Sequence, residues 1–539
     1  MAASPSSGGG TFGSGTSSHR LNIRAISVSH RALVALNVAR YALTLRHVVG
    51  LGRLRALGED HAQLKVYVVE KGDILCRSIF EDAASLAVAA SDIPSDSPET
   101  LITSHPSLPI SNRSSQNLNI LAEEEAYLAD EYFKSINEAI PLFSGTTAIS
   151  GRDIVSTCSR ELAEALLLIT AKLLGFKFAS THFDLDSRID QILSATSLQE
   201  DTAGDFPPLD LFRKFCLLAF YEFHQFPGQQ AWMRIGKLMR LAYWMGLDRL
   251  DMIQSVSTEW SSVSDRELQD WKLIWWCVYR LDSYANLSSG TPYEIDELLV
   301  NTSFIHRHDA QLSQGLVSPR RLPYTPNGLP ELLLSVKRDA ETTLLFHIHL
   351  ITTTLLRQFG RAMAIRYLVP HDEITTTIVS AERILSAIRL ALPSNFLNPG
   401  RNAFSNETNT DHHVRLVSVL HLHMAQLLAA LTSCYYLPEG DDWILSWQRV
   451  LEICQNIAGV AERWDSNYTL TVDPAVTFIS FTALIFLDIH KKYTEAINMH
   501  LISEIENCEL FLLLQLEQFA SHWKLPSLLI RKSQPKLFY

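Results

Sequence analysis

The chain has 539 residues, 47% apolar and 19% charged, with a formal net charge of −12. That much apolar side chain supports a sizeable core and excludes global disorder. A net negative surface repels phosphate at long range, so the bulk of the chain is a poor nucleic-acid binder and direct DNA contact falls to a local basic segment or a partner.

Residues 1–58 read as a poorly ordered leader. Residues 1–18 are rich in glycine and serine. Gly8, Gly10 and Gly13 formally satisfy GxGxxG, but no strand precedes them and no helix opens after them, so the dinucleotide reading fails its context test. Residues 19–58 carry Arg20, Arg24, Arg31, Arg40, Arg46, Arg53 and Arg55 and no acid before Glu59. That pattern fits a disordered leader, an organelle-targeting peptide or a basic arm on nucleic acid. Residues 59–119 combine a short helical segment with a Pro/Ser linker marked by Pro94, Pro98, Pro106 and Pro109.

From Ile120 the pattern turns helical. Leu121, Leu128, Tyr132, Ile136 and Ile140 recur at helical spacing on one face, and Pro141 closes that helix. Further helices are predicted at 153–176, 208–225, 230–246, 264–288, 329–368, 372–391, 411–435, 441–463, 474–492 and 494–522, separated by proline and glycine clusters. No alternating strand and no fixed-period repeat interrupts them. The expected fold class is therefore all-α, a multi-helix array, with 120–310 as one domain and 311–539 continuing it.

Two of these helices carry most of the character. In 230–246, Trp232, Ile235, Met239, Ala242 and Met245 share a face, Gly236 and Ala242 permit close approach of a neighbour, and Gly246 stops the helix. Arg234, Lys237 and Arg240 form a partly basic stripe, best read as a solvated face. In 264–288, Leu268, Trp271, Trp275, Val278, Leu281 and Ala285 form an aromatic-heavy stripe that reads as core. Arg280 and Asp282 point different ways on that helix, so each needs a partner from elsewhere. Truncating Trp232 or Trp275 to alanine is expected to cost about 3–5 kcal/mol, as buried aromatics do.

These landmarks bear a specific likeness. The pattern Trp232, Gly236, Arg240, Ala242, Gly246, Leu247 resembles a helix of the fungal transcription factor regulatory domain, also called the middle homology region. An acidic-then-aromatic helix ending Leu-Asp and followed by Gly-x-Pro is its next hallmark, matched by Glu267, Trp275, Trp276, Leu281, Asp282, Gly290 and Pro292. Its opening is similar to Tyr132-Phe133 followed by Ile140-Pro141-Leu142-Phe143. The likeness covers residues 120 to 310 and implies an all-helical domain within a nuclear regulator of transcription, in which these residues are scaffold.

The family usually opens with a zinc cluster of six cysteines or with other zinc fingers. Here Cys76, Cys158, Cys216, Cys277, Cys434, Cys454 and Cys508 are scattered, and their spacings form no such site. Action through a DNA-binding partner, a lost N-terminus and a degraded paralogue all stay open.

No catalytic or cofactor pattern stands out: GxxxxGK[ST], GxSxG and HExxH do not occur. His347/His349 and His421/His423 are each two apart, so neither pair chelates one metal from a helix, and adjacent His412/His413 read as ordinary imidazoles. Asp441-Asp442 open a helix, where acids favour the macrodipole, and Glu123-Glu124-Glu125 lack an acid-pair geometry for magnesium. Ile505, Leu512, Leu516 and Phe519 repeat near a heptad seam, as a dimer surface or packing within the array. After Lys524 the basic tail reads as an exposed end.

No unbroken apolar run reaches the roughly 18 residues of a membrane span, and the start lacks a secretory signal's pattern. The expectation is a non-enzymatic nuclear regulator of a fungal metabolic or secondary-metabolite pathway. It would work with a DNA-binding partner regulator or as a homodimer, and could enclose a small-molecule inducer, with no membrane partner. An all-helical enzyme and a non-nuclear adaptor are the alternatives.

Overall fold

Helix boundaries fall where proline, glycine and capping side chains put them, and among the described residues every regular element is helical. A computed structural model describes residues 120–533 apart from 145–149, 180–182, 196–205, 307–318, 340–342, 366–367, 437–440 and 494–498. The leader 1–58 with its GxGxxG, the segment 59–119 and Cys76 lie outside the described residues.

Helix α1 (Ala122–Glu131) passes through a π-helical turn, Tyr132–Ile136, and ends at Ala139, just before Pro141. Tyr132 and Ile136 are buried but Leu121 is exposed, so the expected apolar face begins at Leu128, about two turns later. The helix expected at 153–176 is two: α2 (Gly151–Thr157) and α3 (Arg160–Leu174). Ser159 separates them, its hydroxyl accepting the amide of Leu162 as an N-cap. Next come α4 (Leu185–Ala195), where no helix was predicted, α5 (Leu209–Gln225) and α6 (Gln229–Trp244). Helix α7 (Asp265–Ser289) is capped by Ser264 and stopped by Gly290 at φ 70°, a left-handed conformation that glycine adopts without strain. Gly246, at φ 74°, likewise turns the chain after α6.

The second half contains α8 (Leu329–Asp339), α9 (Leu344–Ile365), α10 (His371–Ala391), α11 (Asn409–Tyr436), α12 (Asp441–Glu462), α13 (Pro474–Tyr493), α14 (Met499–Ala520) and α15 (Lys524–Ser533). The single helix expected at 329–368 is thus α8 and α9. Helix α15 takes up the start of the tail read as an exposed end, while the side chains of Arg531 and Lys532 and the whole of Lys536 lie outside the described residues. Leu525 and Leu529 are buried, an apolar edge that the neighbouring basic residues mask in the sequence.

The main hydrophobic core runs from Leu128 to Leu529, and Ala362, Ile374 and Ile378 form a small separate cluster. Helix α7 lies at its centre, packed on α5, α6 and α9, while α11 through α14 form a second layer joined through α9–α11 contacts. Ile505, Leu512, Leu516 and Phe519 are fully buried in that layer, so the heptad-like spacing serves internal packing. Burying each contributes about 1.5–3 kcal/mol before ordering costs.

Two helices, Asn409–Cys434 and Pro474–Lys491, are long and apolar enough by composition to cross a bilayer, which a search for unbroken runs missed. Polar residues such as His421 and His423 interrupt the first. Burial accounts for 89% and 72% of the two stretches, so packing inside this array already explains their apolarity.

Candidate functional site

The residues singled out above converge on α7 and the strap that follows it, residues 290–299. Asp282 is completely buried, and its carboxylate accepts the amides of Glu294 and Ile295, both at 3.2 Å, folding the strap back along the helix. Asn286 also donates to it. Its countercharge is Arg357 of α9, whose Nη1 lies 2.7 Å away. Arg357 also donates to Glu297 (2.8 Å), the Ser283 hydroxyl (2.9 Å) and the Ile295 carbonyl (2.7 Å), and stacks on the rings of Tyr279 and Tyr293. Such fork geometry is available to arginine and not to lysine.

The glycines and aromatics of the pattern serve this closure. A Cβ on Gly236 would lie 3.2 Å from a carboxylate oxygen of Glu294, so the missing side chain lets the strap lie against α6. Arg240 faces the same carboxylate at 4.0 Å from a largely exposed position. Trp232 corrects the expectation of a buried anchor. It is 36% exposed, and its indole N–H donates to Asn286 Oδ1 at 3.2 Å, pinning α6 to the end of α7. Trp232 sits at the rim, one turn before the buried stretch Ile235, Met239, Ala242 and Met245. Of the basic stripe, Arg234 is tied to Glu222 at 2.7 Å and to the Leu193 carbonyl, which leaves it no free charge for a phosphate.

Trp275, Trp276 and Leu281 are buried as expected, and Trp276 donates to the Ser303 carbonyl. Gly290 and Pro292 form the turn between helix and strap. At the other end, Tyr132, Phe133 and Phe143 make an edge-to-face cluster capped by Arg213, which donates to Asp270 at 2.8 Å. The Pro141 carbonyl accepts the thiol of Cys277, and that of Ala139 accepts Arg280 at 2.8 Å. The opening segment is thereby fastened to α7.

A second buried network lies beside the first. Asp473 caps α13, accepting the Ala475 amide at 3.0 Å. Around its other oxygen stand His349 Nε2 at 3.2 Å, His421 Nε2 at 3.3 Å and Arg280 Nη2 at 3.8 Å, all on buried side chains. Tyr284 Oη is 2.8 Å from His349 Nε2. Burial lowers His349 to a pKa of about 3, so it is neutral at physiological pH. Excluding chelation within His347/His349 and within His421/His423 was sound for one helix but missed this grouping, which takes one histidine from each pair. No spacing signal marks it, because α9, α11 and the α13 cap meet only in the folded chain. Arg357 was likewise missed.

The remaining candidates stay apart. His412 and His413 bond the carbonyls of Pro399 and Asn409. Helix α12 starts at Asp441, and Glu124 in the first turn of α1 accepts the Leu121 amide, a cap rather than a ligand set.

Residues 129–351 match the sequence profile of the fungal specific transcription factor domain. The transcription factor tazR of Aspergillus terreus is 24% identical over 180 residues, 33% of this chain and 28% of that protein. The pigment biosynthesis transcriptional activator pigB of Monascus ruber is 29% identical over 97 residues, 17% of this chain and 18% of its own. The ascochitine biosynthesis cluster transcriptional regulator of Didymella fabae is 25% identical over 178 residues, 33% of this chain and 30% of its own. The matched stretches span less than a third of each of these relatives. No solved structure matches the chain.

Proposed function

We propose, on the match of residues 129–351 to the fungal specific transcription factor domain, that the chain is a non-enzymatic nuclear regulator of transcription serving a fungal secondary-metabolite pathway. The domain match carries this reading, and two relatives named for pigment and ascochitine biosynthesis support the choice of pathway class. The site geometry agrees with a scaffold role: Asp282 and Arg357 pair with each other, Trp276 donates to the Ser303 carbonyl, and these side chains and Trp275 are buried.

DNA is reached through a partner regulator or a second copy of the chain rather than through the described helices, whose basic stripe is partly neutralised by acids. Deleting the gene in the host fungus and sequencing its transcripts tests the role. Coordinated loss or gain of one biosynthetic gene set is expected, and an unchanged transcriptome would overturn it. A fluorescent fusion should concentrate in the nucleus. The purified chain should show no salt-sensitive DNA shift, since tight binding that weakens with salt would mean it reads DNA itself.

A further inference from the structure

We propose that His349, His421 and Asp473 form a buried site for a tetrahedral transition-metal ion, zinc above all, with a water in the fourth position. Nothing in the likeness to other transcription factors assigns this cluster, and it lies across two parts of the chain: His349 within the matched 129–351 stretch, His421 and Asp473 beyond it.

Distances carry the argument. Charge-assisted N–H···O bonds run about 2.7–2.9 Å, whereas both imidazole nitrogens stand 3.2 and 3.3 Å from the same carboxylate oxygen. Those separations match the edge of a tetrahedron whose bonds are 2.0–2.1 Å, about 3.3 Å. The three donor atoms all lie within 4.8 Å of one another, and all three side chains are buried.

Hydrogen bonding points the same way. Asp473 Oδ2 and both ring nitrogens of His421 have no hydrogen-bond partner, although the side chains are almost fully enclosed. Buried polar atoms without a partner are rare, and here two of them flank one small space. A network that used Asp473 only as counterion to Arg280 would turn at least one imidazole N–H onto the oxygen. An ion between them satisfies the oxygen and one nitrogen of each ring without any proton.

Arg280 decides the kind of ion. With its guanidinium 3.8 Å from the carboxylate, the site offers little net negative charge. Calcium and magnesium, held chiefly by charge and oxygen, are disfavoured, while an ion that bonds directionally to imidazole is not. Binding would draw α9, α11 and the cap of α13 together, making the ion a staple between the two layers.

The test uses the full chain produced in zinc-replete cells. After extensive dialysis, mass spectrometry should find about one zinc per chain, and cobalt substituted for zinc should give the visible absorption of a tetrahedral ion. His421→Ala should weaken zinc binding at least about tenfold, while His423→Ala, on the same helix but outside the set, should leave it unchanged. If His421→Ala fails to fold, the cobalt spectrum of the unaltered chain decides. Less than about a tenth of an equivalent of metal together with no cobalt band overturns the proposal, as does undiminished zinc in a folded His421→Ala chain.

Discussion

Removing the Arg357 side chain tests whether the strap closure holds the domain. In Arg357→Ala, Asp282 loses the one cationic partner it has among the described residues, and Glu297 keeps Gln358 Nε2 at 2.7 Å and the more exposed Arg361 at 3.5 Å. Breaking a buried pair by deleting one partner typically costs about 3–5 kcal/mol, because the other charge is stranded. Asp282 has lost its countercharge yet still accepts two backbone amides, so the middle of that range, about 4 kcal/mol, is expected. Arg357→Lys keeps the charge but cannot reach Asp282, Glu297, Ser283 and the Ile295 carbonyl together, and should lose about half as much. Urea unfolding followed by tryptophan fluorescence at neutral pH measures both, with Trp275 and Trp276 reporting from the same helix. A loss below about 1 kcal/mol for Arg357→Ala, or equal losses for the two variants, would refute the view that geometry as well as charge is needed.

Other perturbations separate core from rim. Trp275→Ala, in a fully buried position, should cost about 3–5 kcal/mol, while Trp232→Ala, 36% exposed, should cost about 1–2 from one hydrogen bond and partial burial. Thermal melts giving the two equal shifts would contradict the placement. Gly360→Ala would drive a methyl into the Tyr293 hydroxyl, and displacing that ring from Arg357 should cost about 1–3 kcal/mol in the same melts. Stability should also fall in acid. Burial lowers His347 and His490 to about 3, so below the unfolded value near 6.5 the unfolded chain takes up protons that the native chain does not. Nothing is lost above pH 6.5. Between there and pH 3 each imidazole removes about 1.4 kcal/mol per pH unit, so melting temperatures equal at pH 7 and pH 5 would contradict it.

Proline and glycine make the helical segments legible in the sequence alone. Pro141, Gly246 and Gly290 end their helices for the local backbone reasons that the sequence displays. The aromatic stripe of α7 was equally plain, since Trp271, Trp275 and Trp276 have no other economical place than a core. What escaped is long-range. Asp282 advertises a need for a cation but not that Arg357, in α9, supplies it. Trp232 shares a helical face with Ile235 and Met239, yet a face has edges, and only the neighbouring helix decides which residue sits on one. Ser159 splits a continuous apolar pattern, because a capping hydroxyl competes with the helix on terms that periodicity ignores.

The far end of the described chain closes on its beginning. Trp523 stacks on His224 of α5 at 4.1 Å and bonds the Thr469 carbonyl, and His522 meets the Leu173 carbonyl at the end of α3. A nonsense codon just after Ala520 would therefore uncover the interior of helices laid down hundreds of codons earlier. Genetically, late stops in this gene should behave as nulls, cleared by protein quality control, rather than as mild alleles.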